Sequence, residues 1–277
     1  MQFAKLGRER EMETVEGGEG SGRGRYALKP TRISCEDILF CMDVDTESLV
    51  EMKTTGPSGR PLTRLECIKQ AILFFINAKL SINPDHRFAF ATLAKSASWL
   101  RKEFSSEVES AVAALRGLSA TSSCGQADLT HLFRLAAHEA KKSRSQNRIL
   151  RVMGYKTLLC QILVYCRSSV RPHHQWPINQ KLFTMDVMYL HDKPGPDNCP
   201  QEVYDALVDT LEHVSEYEGY IYETGQGLRV LLRHLSIMLS HPQQRCTQDD
   251  MDIKSLTKRS PVADSGNGED PVPISSQ

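Results

Sequence analysis

The chain has 277 residues, 40% of them hydrophobic and 25% charged, a composition that allows one large domain or two small ones with a full core. Lys plus Arg and Asp plus Glu each number 34, so the formal net charge is zero and no bulk field directs the chain to nucleic acid or to an anionic membrane. The first residues lack the zones of a secretory signal, and no apolar run approaches the ~18 residues needed to span a bilayer, so a soluble intracellular chain is expected. The eight cysteines are scattered without a Cys-x-x-Cys pair, which predicts reduced core thiols rather than zinc ligands or disulfides.

Residues 1–29 are charged and interrupted by Gly17, Gly18, Gly20, Gly22 and Gly24, so a disordered tail is expected there. Asp37 to Glu47 follows, an apolar run that ends in acidic residues at every second position. It reads as a strand buried on both faces, at the centre of a parallel sheet. Open α/β sheets hold ligands outside the carboxyl ends of their strands, which makes Asp43, Asp45 and Glu47 the candidate site for a hard cation. Thr54 to Pro61 is dense in turn residues and reads as a surface loop. Leu65, Ile68, Ala71, Ile72, Phe75, Ile76 and Leu80 recur at helical spacing, and Asn83-Pro84 stops that helix.

Arg87 to Ala94 predicts a second buried strand, with Ser96 to Leu100 as an antiparallel edge neighbour. A short helix follows over Val108 to Leu115. Ser119 to Gly125 is a small-residue loop whose simplest role is to cap the helix after it, although such loops also present N–H groups to anions. The run from Lys141 to Arg151 is basic but carries no interleaved aromatic residues, so it reads as a helix entering solvent rather than a nucleic-acid groove. Lys156 to Tyr165 and Leu182 to Leu190 are further buried strands. Between them, His173 and His174 read as loop surface, and Trp176 as a partner anchor or a cover for the domain edge. Val203, Leu207, Leu211 and Val214 line a helix, Tyr217 to Thr224 a last strand, and Gly225 to Ser240 a closing helix. After Thr247 the chain turns polar, and 247–277 is expected to be a second disordered tail. Strands alternating with helices over 30–246 predict an α/β fold, a mostly parallel sheet with helices on both faces.

The order of these elements is that of a von Willebrand factor A domain. Four stretches carry a narrower likeness: Ile38 to Asp43, Thr157 to Arg167, Phe183 to His191, and Leu239-Ser240-His241-Pro242-Gln243-Gln244-Arg245. In them the chain resembles the Merit-forty-like family, the A-domain-like scaffold subunits of the BRISC deubiquitinase complex and the related BRCA-one A complex. The resemblance implies a Rossmann-like, von Willebrand factor A-like sheet in a protein of cytoplasm and nucleus. It also implies a non-catalytic adaptor that binds a ubiquitin-conjugating-enzyme-like core subunit. Such an adaptor helps hold together a zinc isopeptidase and its scaffold, acting on non-degradative polyubiquitin in DNA-damage and related signalling. Pro242 and Arg245 take the partner-binding role from the family's Pro-x-x-Arg segment, with Pro242 fixing the chain and Arg245 offering a planar donor group to a partner groove.

Metal-binding A domains use Asp-x-Ser-x-Ser on the first loop and an aspartate after the later central strand. Here Asp45 and Glu47 stand at the serine positions, and Tyr165-Cys166-Arg167-Ser168 has no aspartate. Arg167 is therefore the expected counter-ion of the acidic group, and a metal-dependent A-type domain using Asp43, Asp45 and Glu47 is the alternative reading. His173-His174 does not reproduce the His-x-His of a zinc isopeptidase, and no hydrolase elbow, zinc-protease helix or phosphate loop is present. No enzymatic activity and no cofactor are expected.

Overall fold

The computed structural model describes residues 35–146, 158–225 and 227–251, and the following statements concern these residues. The chain divides after residue 33 into two units, and all described residues belong to the second. The tail expected over 1–29, the end of the basic run and the chain beyond Met251 lie outside the described residues.

The Asp37 to Glu47 stretch forms β1 (Glu36–Asp43), and every one of its residues is buried. Its alternating side chains feed two cores. Ile38, Phe40 and Met42 face one, and Leu39 and Cys41 face the other. Burying one such side chain fully contributes about 1.5–3 kcal/mol, which is why an uninterrupted apolar run is stable only at the centre of a sheet covered on both sides.

β1 lies between β4 (Arg87–Leu93) and β7 (Leu158–Tyr165), parallel to both. β5 (Ala97–Ser105) runs antiparallel to β4 at one edge, while β9 (Thr184–Leu190) and β10 (Ile221–Thr224) extend the sheet beyond β7 in parallel. The order is β10-β9-β7-β1-β4-β5. The strand order reverses beside β1, so the carboxyl ends of β1 and β7 form the crevice where doubly wound folds place ligands.

The helix α1 (Arg64–Ile82) opens with a capping box. Glu66 N–H donates to Thr63 Oγ1 at 3.2 Å, and Thr63 N–H donates to Glu66 Oε2 at 2.8 Å. With α2 (Val108–Gly117) and α5 (Leu228–Ile237) it covers the first core, where the Phe75 ring meets Phe40 edge-on at 5.6 Å. The helices α3 (Thr130–Gln146) and α4 (Pro200–Val214) cover the second. Beneath α1, Lys79 Nζ lies 2.5 Å from Glu36 Oε1, and both side chains are almost fully buried.

Several boundaries differ from expectation. The turn-rich stretch after β1 contains a small hairpin, β2 (Glu51–Thr55) with β3 (Pro61–Thr63), whose turn holds Gly59 at φ +77°. β6 (Ala127–Asp128) and β8 (Pro172–His173) form a two-residue parallel pair that periodicity cannot reveal. The last strand begins only at Ile221, two residues after Gly219, which lies close against β9. A Cβ on Gly219 would lie 2.1 Å from the Met185 carbonyl oxygen. Residues 247–251 are not tail: Gln248–Asp250 form a 3-10 turn, and Met251 packs against the first core. All eight cysteines are free. Among the described residues no helix is long and apolar enough to cross a membrane.

Candidate functional site

The acidic exit of β1 meets the first residues after β7. Asp43 and Arg167 are both fully buried. Arg167 Nε donates to Asp43 Oδ1 and Oδ2 at 3.2 and 3.0 Å, and Nη2 donates to Oδ1 at 3.0 Å. The N–H groups of Asp45 and Cys166 complete the shell of Asp43, each at 3.1 Å. The rest of the guanidinium donates to the carbonyls of Ala94, just past β4, and of Gln126, just before β6. One side chain therefore ties together the ends of three strands and a loop. Burial pushes the Asp43 carboxyl upward while Arg167 pulls it back, and Asp43 in turn keeps Arg167 charged against its own burial.

Asp45 and Glu47 also face inward. Asp45 accepts from the N–H groups of Cys124 at 2.7 Å and Glu47 at 3.3 Å. Burial works against the Asp45 carboxylate, but these donors outweigh it and hold its pKa below the ordinary value. The loop 119–125 is thus a clasp on Asp45 rather than a helix cap. At the start of α3 it is Asp128 that accepts from the Thr130 N–H, at 2.8 Å. Glu47 Oε2 accepts from the Ser168 N–H at 2.9 Å and its hydroxyl at 2.7 Å. A second buried arginine, Arg64 at the start of α1, donates to the carbonyls of Glu47 and Cys166 and pairs with Asp192 at 2.6 Å.

Mg²⁺ and Ca²⁺ need at least six oxygen ligands around one centre. The three carboxylates are brought to one edge, but a guanidinium already holds the oxygens of Asp43, and backbone or serine donors hold the other two. Among the described residues no group of three or more His, Cys, Asp or Glu is arranged to hold a metal. The donor set does not fit a divalent cation. Arg167 is the counter-ion that the sequence points to.

The partner-binding candidates sit elsewhere. Pro242 is buried and opens a 3-10 turn, Pro242–Gln244, in which Gln243 N–H donates to His241 Nδ1 at 3.3 Å. Arg245 corrects the expectation that it offers its donors to a partner. Its side chain is 1% exposed and grips Asp186 of β9 through both Nη atoms, at 2.5 and 2.8 Å. It also donates to the carbonyls of Glu218, Met238 and Ser240 and lies 4.5 Å over the Tyr220 ring. Burial alone would lower the Arg245 pKa, but Asp186 more than offsets that and raises it. The outward residues of the turn are Gln243 and Gln244. Sequence reading passed over Asp186, yet an acid inside an apolar strand is itself a signal, because a buried carboxylate requires a cation.

Trp176 is half-buried over the second core, 6.0 Å from Phe133 and 6.4 Å from Phe183, with its indole N–H on the Gln180 carbonyl at 2.9 Å. His173 lies on the surface, but His174 is half-buried, edge-on to the Phe133 ring at 5.3 Å and tilted against His213 at 5.1 Å. Burial lowers its pKa.

No family model and no curated protein matches the chain. Among solved structures it is similar to a mutant form of the PilB minor pilin of Streptococcus sanguinis, at 10% identity and TM-score 0.48, covering 76% of this chain and 62% of the pilin. It is similar also to the SpRpn10 VWA domain, at 15% identity and TM-score 0.46, covering 72% and 95% of the two chains. A von Willebrand factor type A protein from Catenulispora acidiphila is similar at 16% identity and TM-score 0.47, covering 74% and 42%. The chain therefore spans less than two thirds of the pilin and the Catenulispora protein. The strand order, with its antiparallel edge strand β5, shows an α/β fold: a mostly parallel six-stranded sheet with helices on both faces.

Proposed function

We propose that this chain is a non-catalytic scaffold subunit that works by protein contact. The reading rests on one observation: the Arg167 guanidinium takes up the oxygens of Asp43, and Asp45 and Glu47 beside it are held by backbone and serine donors, so the acidic residues are consumed in holding the fold. A domain whose carboxyl edge is locked in this way has its surfaces left for partners. The narrower assignment draws on the sequence resemblance. In it the chain binds the ubiquitin-conjugating-enzyme-like core subunit and supports a zinc isopeptidase and its scaffold acting on non-degradative polyubiquitin, in cytoplasm and nucleus. The Pro-x-x-Arg segment has a structural part in this reading. Arg245 anchors the turn from within, and the anchored turn displays Gln243 and Gln244.

The test is co-expression of the full chain with the ubiquitin-conjugating-enzyme-like subunit, followed by size-exclusion chromatography. Co-elution that Gln243→Asp with Gln244→Asp weakens, while both proteins stay folded, supports the assignment. Separate elution of the two folded proteins overturns it. Cleavage of polyubiquitin by the isolated chain would overturn the scaffold reading altogether.

A further inference from the structure

A cavity of about 610 Å³ lies away from the Asp43–Arg167 network, along the β10 edge of the sheet. One wall is α4, with Tyr204, Val208 and Glu212. The opposite wall is the strap 246–251, which crosses the strand edge. Gln248 there acts as a substitute strand. Its side-chain Oε1 accepts from Ile221 N–H at 2.8 Å, and its Nε2 donates to the Ile221 carbonyl at 2.7 Å. An edge strand whose peptide groups are open attracts another chain, and here a side-chain amide satisfies only one residue of it.

Leu211 and Ile221 give the groove an apolar floor, while four carboxylates and a single lysine line its sides. Two of those carboxylates have other tasks: Glu216 pairs with Arg144, and Glu218 accepts from Gln248 N–H. Glu212 and Asp249 are different. They are exposed, stand on opposite walls, and their carboxylates have no hydrogen bond or ion pair among the described residues, although Lys181 Nζ donates to the backbone carbonyl of Glu212 at 2.9 Å. Negative charge from Asp249 and Glu223 also reaches Tyr204, whose pKa is raised by burial and by these acids. The groove thus calls for an occupant with apolar side chains flanked by cations.

We propose that the groove is the docking site for this chain's own segment 252–259, Asp-Ile-Lys-Ser-Leu-Thr-Lys-Arg. The segment starts three residues after Asp249, itself a wall of the groove. Eight extended residues reach at most about 28 Å, enough to return along the cavity. The segment carries Lys254, Lys258 and Arg259 for the two unpaired carboxylates, and Ile253 and Leu256 for the apolar floor. Tethering raises its local concentration to the millimolar range, so a weak fit suffices where a free peptide would need far more contact.

Amide hydrogen exchange of residues 252–261, read by mass spectrometry on the full chain, tests this. In the wild type these amides should exchange about tenfold more slowly than in a Glu212→Lys, Asp249→Lys variant, which alters only exposed side chains. Lys254→Glu with Lys258→Glu and Arg259→Glu should release the segment equally, and joining the two charge reversals in one chain should restore the protection. Wild-type exchange as fast as that of the groove variant overturns the proposal, as does failure of the double reversal to restore protection. Protection that fades on dilution would place the segment in the groove of a second copy and overturn docking within one chain.

Discussion

Arg167 and Asp43, 124 positions apart, meet with no exposed surface on either side chain. A buried pair of this kind is not a source of large net stability, because desolving both charges costs nearly as much as their attraction returns. Removing one partner is another matter. Arg167→Ala should lower unfolding free energy by about 3–5 kcal/mol, since it strands a buried carboxylate and frees two carbonyls. Arg167→Met combined with Asp43→Leu should recover most of that loss. Urea unfolding of the single and double variants gives both numbers. The wild-type thermal midpoint should also be the same in EDTA and in Mg²⁺. A midpoint that falls on chelation would mean that a cation shares the site with Arg167.

Arg245→Ala should behave as a core mutation. It leaves Asp186 unpaired beneath Tyr220 and releases three carbonyls, so a loss of about 3–5 kcal/mol is expected. Arg245→Lys should recover little, because an ammonium cannot reproduce the two-pronged contact with Asp186. Gln243→Ala and Gln244→Ala, on the exposed side of the same turn, should stay within about 0.5 kcal/mol of the wild type. Reduced partner binding by Arg245→Ala would therefore report a disordered turn, and circular dichroism with urea titration separates this from a lost surface contact.

The strands β1, β7 and β9 were legible because a strand buried on both faces writes an unbroken apolar run, and α1 because its buried stripe recurs at helical spacing. The β2–β3 hairpin was not, since its residues are mostly exposed and its Gly-Pro-Ser-Gly content signals only a turn. Arg167 could be named as a counter-ion from sequence because the family pattern puts an aspartate at that edge. Nothing local pairs Arg245 with Asp186, 59 positions away. Arg245 has a plausible surface role when read alone, and although Asp186 inside an apolar run calls for a cation, nothing in the sequence says which one answers it.

His234 makes stability depend on pH in a defined window. It is nearly buried on α5, stacked 4.7 Å from the Tyr222 ring, and burial together with Arg233 pushes its pKa down to about 4. The unfolded chain takes up the proton near the ordinary value of 6.5, whereas the folded chain resists until about 4. Stability contributed by the neutral ring is therefore full above pH 6.5 and is lost as the pH falls toward 4, by up to about 3 kcal/mol. His86 and His174 are shifted in the same direction by burial and add to the slope. His234→Phe keeps the stacked ring and removes the titration. Urea unfolding between about pH 7 and pH 4.5 should give a flatter profile for that variant, and equal slopes would show that His234 carries its proton in the folded state.

Gln161 sits at the centre of β7, between Leu39 of β1 and Met185 of β9, with no exposed surface. Its alternation with Leu159 and Leu163 turns it toward the core under α3 and α4, where neither its amide nitrogen nor its amide oxygen has a hydrogen-bond partner among the described residues. A buried donor or acceptor left unpaired costs about 1–3 kcal/mol, and a leucine or methionine fills nearly the same space without that cost. Gln161→Leu or Gln161→Met should therefore raise stability by about 1–3 kcal/mol. The urea midpoint should move upward with an unchanged slope, the mark of a stability change rather than an altered unfolded state. A downward shift would mean that the amide is satisfied in solution by a buried water, which the apolar replacement cannot hold.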